Sequence, residues 1–168
     1  MLDDVSIRTA DEEDVRAFVR DQDDQHFFSR HLGPGRGVLL LAFRRDRNVG
    51  QVFLRLDEAE EPELRTGLPE VPRLQRLKVS VDHRRTGVGR HLVRAAERLL
   101  FEDGHRQVAL GVHPGNFEAI SFYKGLSFTV WREQTLTTFR EHVRDDGSTV
   151  REEEPCLVFV KRLGPPSS

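Results

Sequence analysis

Val79-Ser80-Val81-Asp82-His83-Arg84-Arg85-Thr86-Gly87-Val88-Gly89-Arg90 is the stretch on which the reading of this chain turns. A strand ends, a glycine-containing turn follows, and a helix begins at once. The first backbone N–H groups of a helix have no partner within it, and the helix dipole adds positive potential at that end. Such a turn takes up phosphate oxygens, and glycines let an anion approach the backbone. Arg84, Arg85 and Arg90 add cationic side chains around the same mouth. Physics alone therefore gives a phosphate or pyrophosphate site and leaves the ligand open. A Walker loop is excluded, because no Gly-Lys-Ser/Thr closes the turn. A dinucleotide fingerprint fits poorly, since Leu92 stands where its third glycine belongs. An ordinary strand-to-helix turn with surface arginines is the competing reading of the segment in isolation.

Working outward, Leu74–Val81 reads as the strand that feeds the turn, with Leu77, Val79 and Val81 on one face. The helix runs from about Arg85 to Glu102, with Val88, Leu92, Ala96 and Leu99 at helical spacing and Gly104 at its end. Val108–Val112 is short and almost continuously apolar, which suits a central strand. Asn116–Lys124 is a second amphipathic helix, stopped at Gly125. Upstream, Val5–Arg8 is a strand, and Thr9 with Glu12 offers a capping box for a helix carrying Val15, Phe18 and Val19. Asp21–Leu32 is either a short helix or a mobile loop, and Gly33–Gly37 is a breaker. Val38–Phe43 and Val49–Leu56 form a hairpin, followed by an acidic, proline-punctuated loop over Asp57–Pro72. Phe128 to about Val143 goes out and Cys156–Leu163 returns as a long hairpin, with a tail from Gly164 expected to be disordered. One domain over residues 1–163 accommodates all of this.

Together these features resemble the GCN5-related N-acetyltransferases (GNAT). Arg84-Arg85-Thr86-Gly87-Val88-Gly89 matches their acyl-CoA loop, Arg/Gln-x-x-Gly-x-Gly/Ala, and Val79-Ser80-Val81 matches the preceding strand. Asn116-Phe117-Glu118-Ala119-Ile120-Ser121-Phe122-Tyr123-Lys124-Gly125-Leu126-Ser127-Phe128 looks like their second signature, with Ser127 in place of a turn glycine. The resemblance implies an α/β fold. Its mixed, mostly antiparallel sheet has roughly six to seven strands with a splayed parallel pair, flanked by about four helices. It further implies acetyl-CoA as acyl donor, no metal, and a primary amine of a small molecule as acceptor. Alternatives are a protein N-terminal or lysine acetyltransferase and a non-catalytic acyl-CoA-binding module.

By the same resemblance, backbone groups of Val79 and Val81 pair with the pantetheine arm in the gap between the splayed strands. Amides from Arg84, Arg85, Thr86, Gly87, Val88, Gly89 and Arg90 hold the pyrophosphate, Asn116 contacts the arm, and Phe122 packs beside it. Tyr123 is the expected catalytic residue, donating a hydrogen bond or proton to the departing thiolate. It is the only tyrosine, in a chain with 11 phenylalanines, and a core aromatic is the plainer reading of it. A backbone N–H near Val79 is expected to meet the oxyanion, worth about 3 kcal/mol by analogy with other donors. For the general base, His113, Glu63, Glu70 and Glu133 are candidates that no spacing separates.

Composition limits the remaining choices. The chain has 168 residues, with 26 Lys and Arg against 28 Asp and Glu and a net charge of -2, which argues against a nucleic-acid partner. No apolar run approaches the roughly 18 residues of a membrane helix, and Met1–Asp4 is acidic without a signal-like apolar core. A cytoplasmic protein with no membrane partner is the expectation. Cys156 is the single cysteine and reads as a small buried hydrophobe. The histidines show no ligand spacing, so no metal site is expected. Asp57, Glu58, Glu60, Glu61 and Glu63 form either a solvated loop or a negative rim that gathers cationic amines. Trp131 and Phe139 are candidates for a homodimer surface or for the wall of the acceptor pocket.

Overall fold

The computed structural model describes residues 4–165. Met1–Asp3 of the acidic start, and Pro166–Ser168 of the tail expected to be disordered, lie outside the described residues. In chain order the elements are β1 (Val5–Ala10), α1 (Glu12–Phe18), α2 (Gln22–His31), β2 (Gly37–Arg44), β3 (Arg47–Arg55), α3 (Pro62–Gly67) and β4 (Arg73–Val79). They continue with α4 (Val88–Glu102), β5 (Gln107–Val112), α5 (Phe117–Gly125), β6 (Thr129–Val130), β7 (Leu136–Val143) and β8 (Thr149–Arg162). The strands form one mixed sheet in the order β1-β2-β3-β4-β5-β8-β6, with β7 paired to β8.

Both faces of this sheet are covered, which explains why β2 and β3 are apolar almost throughout. Leu40, Ala42, Val52, Leu54, Leu74, Val108 and Leu110 face α4, whose Val88, Leu92, Val93, Ala96 and Leu100 form one fully buried stripe. Each such side chain removed from water contributes about 1.5–3 kcal/mol. On the opposite face Leu39, Leu41, Phe43 and Phe53 meet Val15 and Val19 near α1 and Phe28 of α2. A third cluster gathers Leu64 of α3 with Ala109, Leu136 and Val158.

The parallel pair β4–β5 is joined only at Arg73↔Ala109 and Leu74↔Leu110, and beyond Leu74 the two strands part. A bulge in β4 drives the parting. Gln51↔Lys78 and Phe53↔Gln75 are partners, so Arg76 and Leu77 together face the single residue Val52. Arg76 sits there with φ 59.

Several sequence expectations need correction. Asp11, not Thr9, caps α1, because Thr9 and Ala10 are still paired within β1. The Asp14 N–H donates to the Asp11 carboxylate, and the Asp11 N–H donates back to Asp14, both at 3.0 Å. Asp21–Leu32 resolves as a true helix, capped by Asp21. The acidic loop contains α3, opened by Pro62 at its first turn, where the missing N–H costs nothing. The outgoing arm of the last hairpin breaks into β6 and β7, giving eight strands and five helices among the described residues. Val81 leaves the sheet for a 3-10 turn over Val81–His83 and is 74% exposed, so it does not share the buried face of Leu77 and Val79. Among the described residues no helix is long and apolar enough to cross a membrane.

Candidate active site

The glycine turn is built as an anion cradle. Arg85 (φ 62) and Gly87 (φ 92) both take left-handed backbone, and the second position favours glycine because a Cβ there is strained. Gly87 is the N-cap of α4 and supplies no side-chain acceptor, and the first turn of the helix carries no acidic residue. Its leading N–H groups therefore lack a side-chain partner, the condition for binding an anion. The Thr86 hydroxyl turns back to donate to the His83 carbonyl, and Ser80 Oγ lies 2.8 Å from His83 Nδ1, which stiffens the loop. Among the described residues Arg84, Arg85 and Arg90 form no ion pair, so their charge is free for a ligand.

This cradle opens on a cavity of about 1090 Å³ that runs along Leu77–Val79 of β4 to Tyr123 of α5. Of the expected site residues, Val79, Val81, Arg84, Arg85, Gly87, Gly89, Arg90, Asn116, Phe122 and Tyr123 line this one cavity. Thr86 and Val88 do not, and Val88, the first residue of α4, is fully buried in the core. Asn116 has a structural duty as well, capping α5 by accepting the Ala119 N–H at 3.1 Å. Gly89 is needed for packing, since a Cβ there would come within 3.3 Å of the Phe122 ring. The Ser80 N–H bonds to Val49 on β3 at 2.9 Å. Successive N–H groups of a strand point to opposite edges, so that of Val79 faces the unpaired gap.

Tyr123 stands where this cavity meets a second one, of about 380 Å³, on the far side of the gap. Its ring is held edge-on between Phe122 and Phe128, with centroids 5.1 and 5.6 Å away. Burial pushes its phenol up to about 12, so the group keeps its proton at any physiological pH.

Four residues that the sequence left unremarked shape the gap. Asp24 of α2 is 1% exposed and accepts from Gln51 Nε2 at 3.0 Å, Arg76 at 3.1 Å and Lys78 Nζ at 2.7 Å. Gln51 also donates to the Arg76 carbonyl at 3.1 Å, so this quartet fastens the bulge. No local pattern could reveal it, because its members lie on three elements far apart in sequence.

The base candidates fare unequally. His113 lines the second cavity with Glu61 and Glu154, two carboxylates the sequence did not single out as bases. Its Nδ1 accepts the Gly115 N–H at 3.0 Å, so the basic nitrogen of the neutral ring is already engaged. Glu63, Glu70 and Glu133 line neither cavity. The acidic run is not a bare negative rim. Asp57 is bound by Arg55 at 2.6 Å, Glu58 lies 3.5 Å from Arg65, and Glu60 lies 3.1 Å from Arg151. Trp131 packs into the cluster around α3, leaving Gly67 no room for a Cβ, while Phe139 stays 44% exposed beside the second cavity. The Cys156 thiol is pushed up to about 11 by burial and by the nearby Glu61 and Glu154, so it stays a neutral thiol.

The acetyltransferase (GNAT) family model matches residues 5–128. The chain belongs to that family. The glycine turn, the bulged strand and the parted β4–β5 pair are thus the parts of a GNAT acyl-CoA-dependent N-acetyltransferase. Solved structures similar to it include the ribosomal-protein-S18-alanine N-acetyltransferase from Escherichia coli, at 19% identity and TM-score 0.66, covering 97% of this chain and 96% of that one. Arabidopsis thaliana NAA60 in complex with acetyl-CoA is similar at 19% identity and TM-score 0.64, over 94% and 98%. An aminoglycoside 6'-N-acetyltransferase complexed with coenzyme A is similar at 14% identity and TM-score 0.63, over 97% and 99%. No curated protein matches the sequence. GNAT neighbours thus include enzymes for protein and for small-molecule acceptors.

Proposed function

We propose that this GNAT enzyme transfers an acetyl group from acetyl-CoA to a primary amine of a small molecule, without an acyl-enzyme. The observation that carries the reading is that the anion cradle, the unpaired edge of β4 and Tyr123 open on one continuous cavity. The residues present suit coenzyme A: N–H groups without side-chain partners at the start of α4, three arginines with no ion pair among the described residues (Arg84 donates to the Val79 carbonyl at 3.4 Å), and an open strand edge for an amide-bearing arm. When bound, the thioester would supply an activated acyl carbon for direct attack by the amine, and the residues of the cradle, β4 and Tyr123 would hold it there.

The chain's own groups have separable tasks. Amides from Arg84 through Arg90 and the arginine side chains fix the pyrophosphate. The Val79 N–H stabilises the developing oxyanion. Tyr123, fully protonated, donates to the leaving sulfur. The ammonium form of the acceptor must lose a proton before attack, and Glu61 and Glu154 are the carboxylates that line the acceptor side. A small-molecule acceptor is favoured because β7 and β8 cover that side, leaving about 380 Å³.

The test is release of free thiol from acetyl-CoA across a panel of small amines, with wild type and Tyr123→Phe side by side. Amine-dependent turnover that drops in the variant is the expected result. Acetylation of peptides or protein lysines alone would overturn the choice of acceptor, and binding of acetyl-CoA without any turnover would leave a binding module instead.

A further inference from the structure

The acceptor-side cavity has walls of opposite charge. Arg73, Arg76, Lys78 and Arg140 line it together with Glu61 and Glu154. Not all of these charges are free. Arg73 donates to the Asp57 carbonyl at 2.8 Å, and Lys78 sits on Asp24 at 2.7 Å. Arg76 has the same Asp24 at 3.1 Å, a carboxylate it shares with Lys78 and Gln51, and it stacks 4.5 Å above Phe27. Arg140, on β7, has only Glu154 at 3.9 Å. Arg76 and Arg140 therefore present two guanidinium groups to one small space, each with a carboxylate on one side, Asp24 for Arg76 and Glu154 for Arg140. The basicity of Arg76 is lowered by burial first and by the charge of Arg140 second, as expected for cations that face each other. An anion seated between them would relieve that repulsion, and the planar guanidinium fork suits carboxylate and phosphate oxygens.

A second observation points to a ligand in the same place. Gln75 Oε1 is buried without a hydrogen-bond partner, and Gln75 lines this cavity. A buried acceptor left unpaired is costly, so a ligand N–H is its natural partner. Glu61 and Glu154 give the amine a compatible end, Thr138 donating to Glu61 at 2.7 Å to hold that carboxylate in position.

We infer that the acceptor is an amine that also carries an anionic group, and that Arg76 and Arg140 bind this group across the cavity while the nitrogen points to Tyr123. The inference rests on the acyltransferase reading above and names the substrate class of that site. It departs from the alternative in which the acidic run gathers cationic amines, since that run is largely paired with arginines.

The experiment uses acceptors with a common skeleton: an amino acid, its carboxamide and the decarboxylated amine, and, separately, an aminoalkyl phosphate beside its alcohol. Thiol release from acetyl-CoA is followed with wild type, Arg140→Gln and Arg140→Lys. Arg140 is 43% exposed at its side chain, so neither change threatens the fold. The anionic member of a series is expected to have kcat/KM about tenfold or more above its uncharged counterpart, the scale of one lost charge-assisted hydrogen bond. Arg140→Gln should raise KM for that member by a similar factor while leaving KM for acetyl-CoA in place, and Arg140→Lys should recover part of the loss. Preference in the amino acid series identifies a carboxylate, and preference in the other series a phosphate. Equal or better turnover of the uncharged and decarboxylated amines, or an unchanged KM in Arg140→Gln, would overturn the inference while leaving the acetyltransferase reading intact. Absence of thiol release with every amine would overturn both.

Discussion

Tyr123 holds its proton more tightly than a free tyrosine, at about 12, because its ring is packed between Phe122 and Phe128. A free thiol ionises near 8.5, so full proton transfer from the phenol to a solvated thiolate runs uphill. The useful act is a hydrogen bond to charge as it develops in a dry gap, where the thiolate is poorly solvated too. Tyr123→Phe is expected to lower kcat about a hundredfold, with KM for acetyl-CoA little changed, in steady-state thiol-release assays. The wild-type rate should show no fall from phenol ionisation until pH approaches 12. His31 carries a different pH signature. Burial, and then the charge of Arg55, lower it from 6.5 to about 4. Its neutral form belongs to the fold, so this contribution to stability is present above pH 6.5 and is lost as pH falls toward 4. Thermal midpoints between pH 7 and pH 4 should therefore fall less steeply in His31→Gln than in wild type. At this scale the sequence was eloquent about Gly87 and Tyr123, whose neighbours in the chain are also their neighbours in the site. It was silent on Asp24, Gln75 and Arg140, which matter only through partners on other elements.

The decisive element is β4. Its bulge at Arg76 ends the pairing with β5 after Leu74 and frees the edge that the proposed cofactor arm would use. Asp24 holds that bulge from α2, through Arg76, Lys78 and Gln51. Asp24→Ala would leave two cations and an amide facing a void. It is expected to cost about 3 kcal/mol in denaturant unfolding and to weaken acetyl-CoA binding in calorimetry. Elements with strong periodicity, such as α4 and β5, were legible in the sequence, although α4 begins at Val88 rather than near Arg85 because Arg85 and Gly87 take left-handed backbone, and its stripe buries Leu100 rather than Leu99. α2 was ambiguous because its polar residues outnumber its apolar ones, and one of those polar residues, Asp24, is buried. α3 was hidden among prolines and acids that read locally as loop, and Ser127, standing in for a turn glycine, takes the positive φ of 73 that the turn requires.

At the scale of the molecule, helices cover both faces of the sheet, and the parting of β4 from β5 leaves the opening at which the proposed site lies. A ligand that fills it should tie the two halves of the sheet together. Acetyl-CoA at about 100 times its dissociation constant is expected to add roughly 2.7 kcal/mol, or about 5–10 °C in thermal midpoint for a chain of this size. ATP or NAD at the same concentration should produce a much smaller shift in the same melting assay.

What the amino-acid order determined by itself was whatever depends on near neighbours: the strand–turn–helix cradle, the buried stripe of α4, the capped helix that carries Tyr123. Those features follow from backbone conformation and periodicity, which act over a few residues. The fastening of the β4 bulge by Asp24 and the sharing of one cavity by Arg76 and Arg140 were decided only in three dimensions, and the splay of β4 from β5 was expected only through the family resemblance. They are products of charge and packing between segments 25 or more residues apart, and no local pattern encodes such pairings.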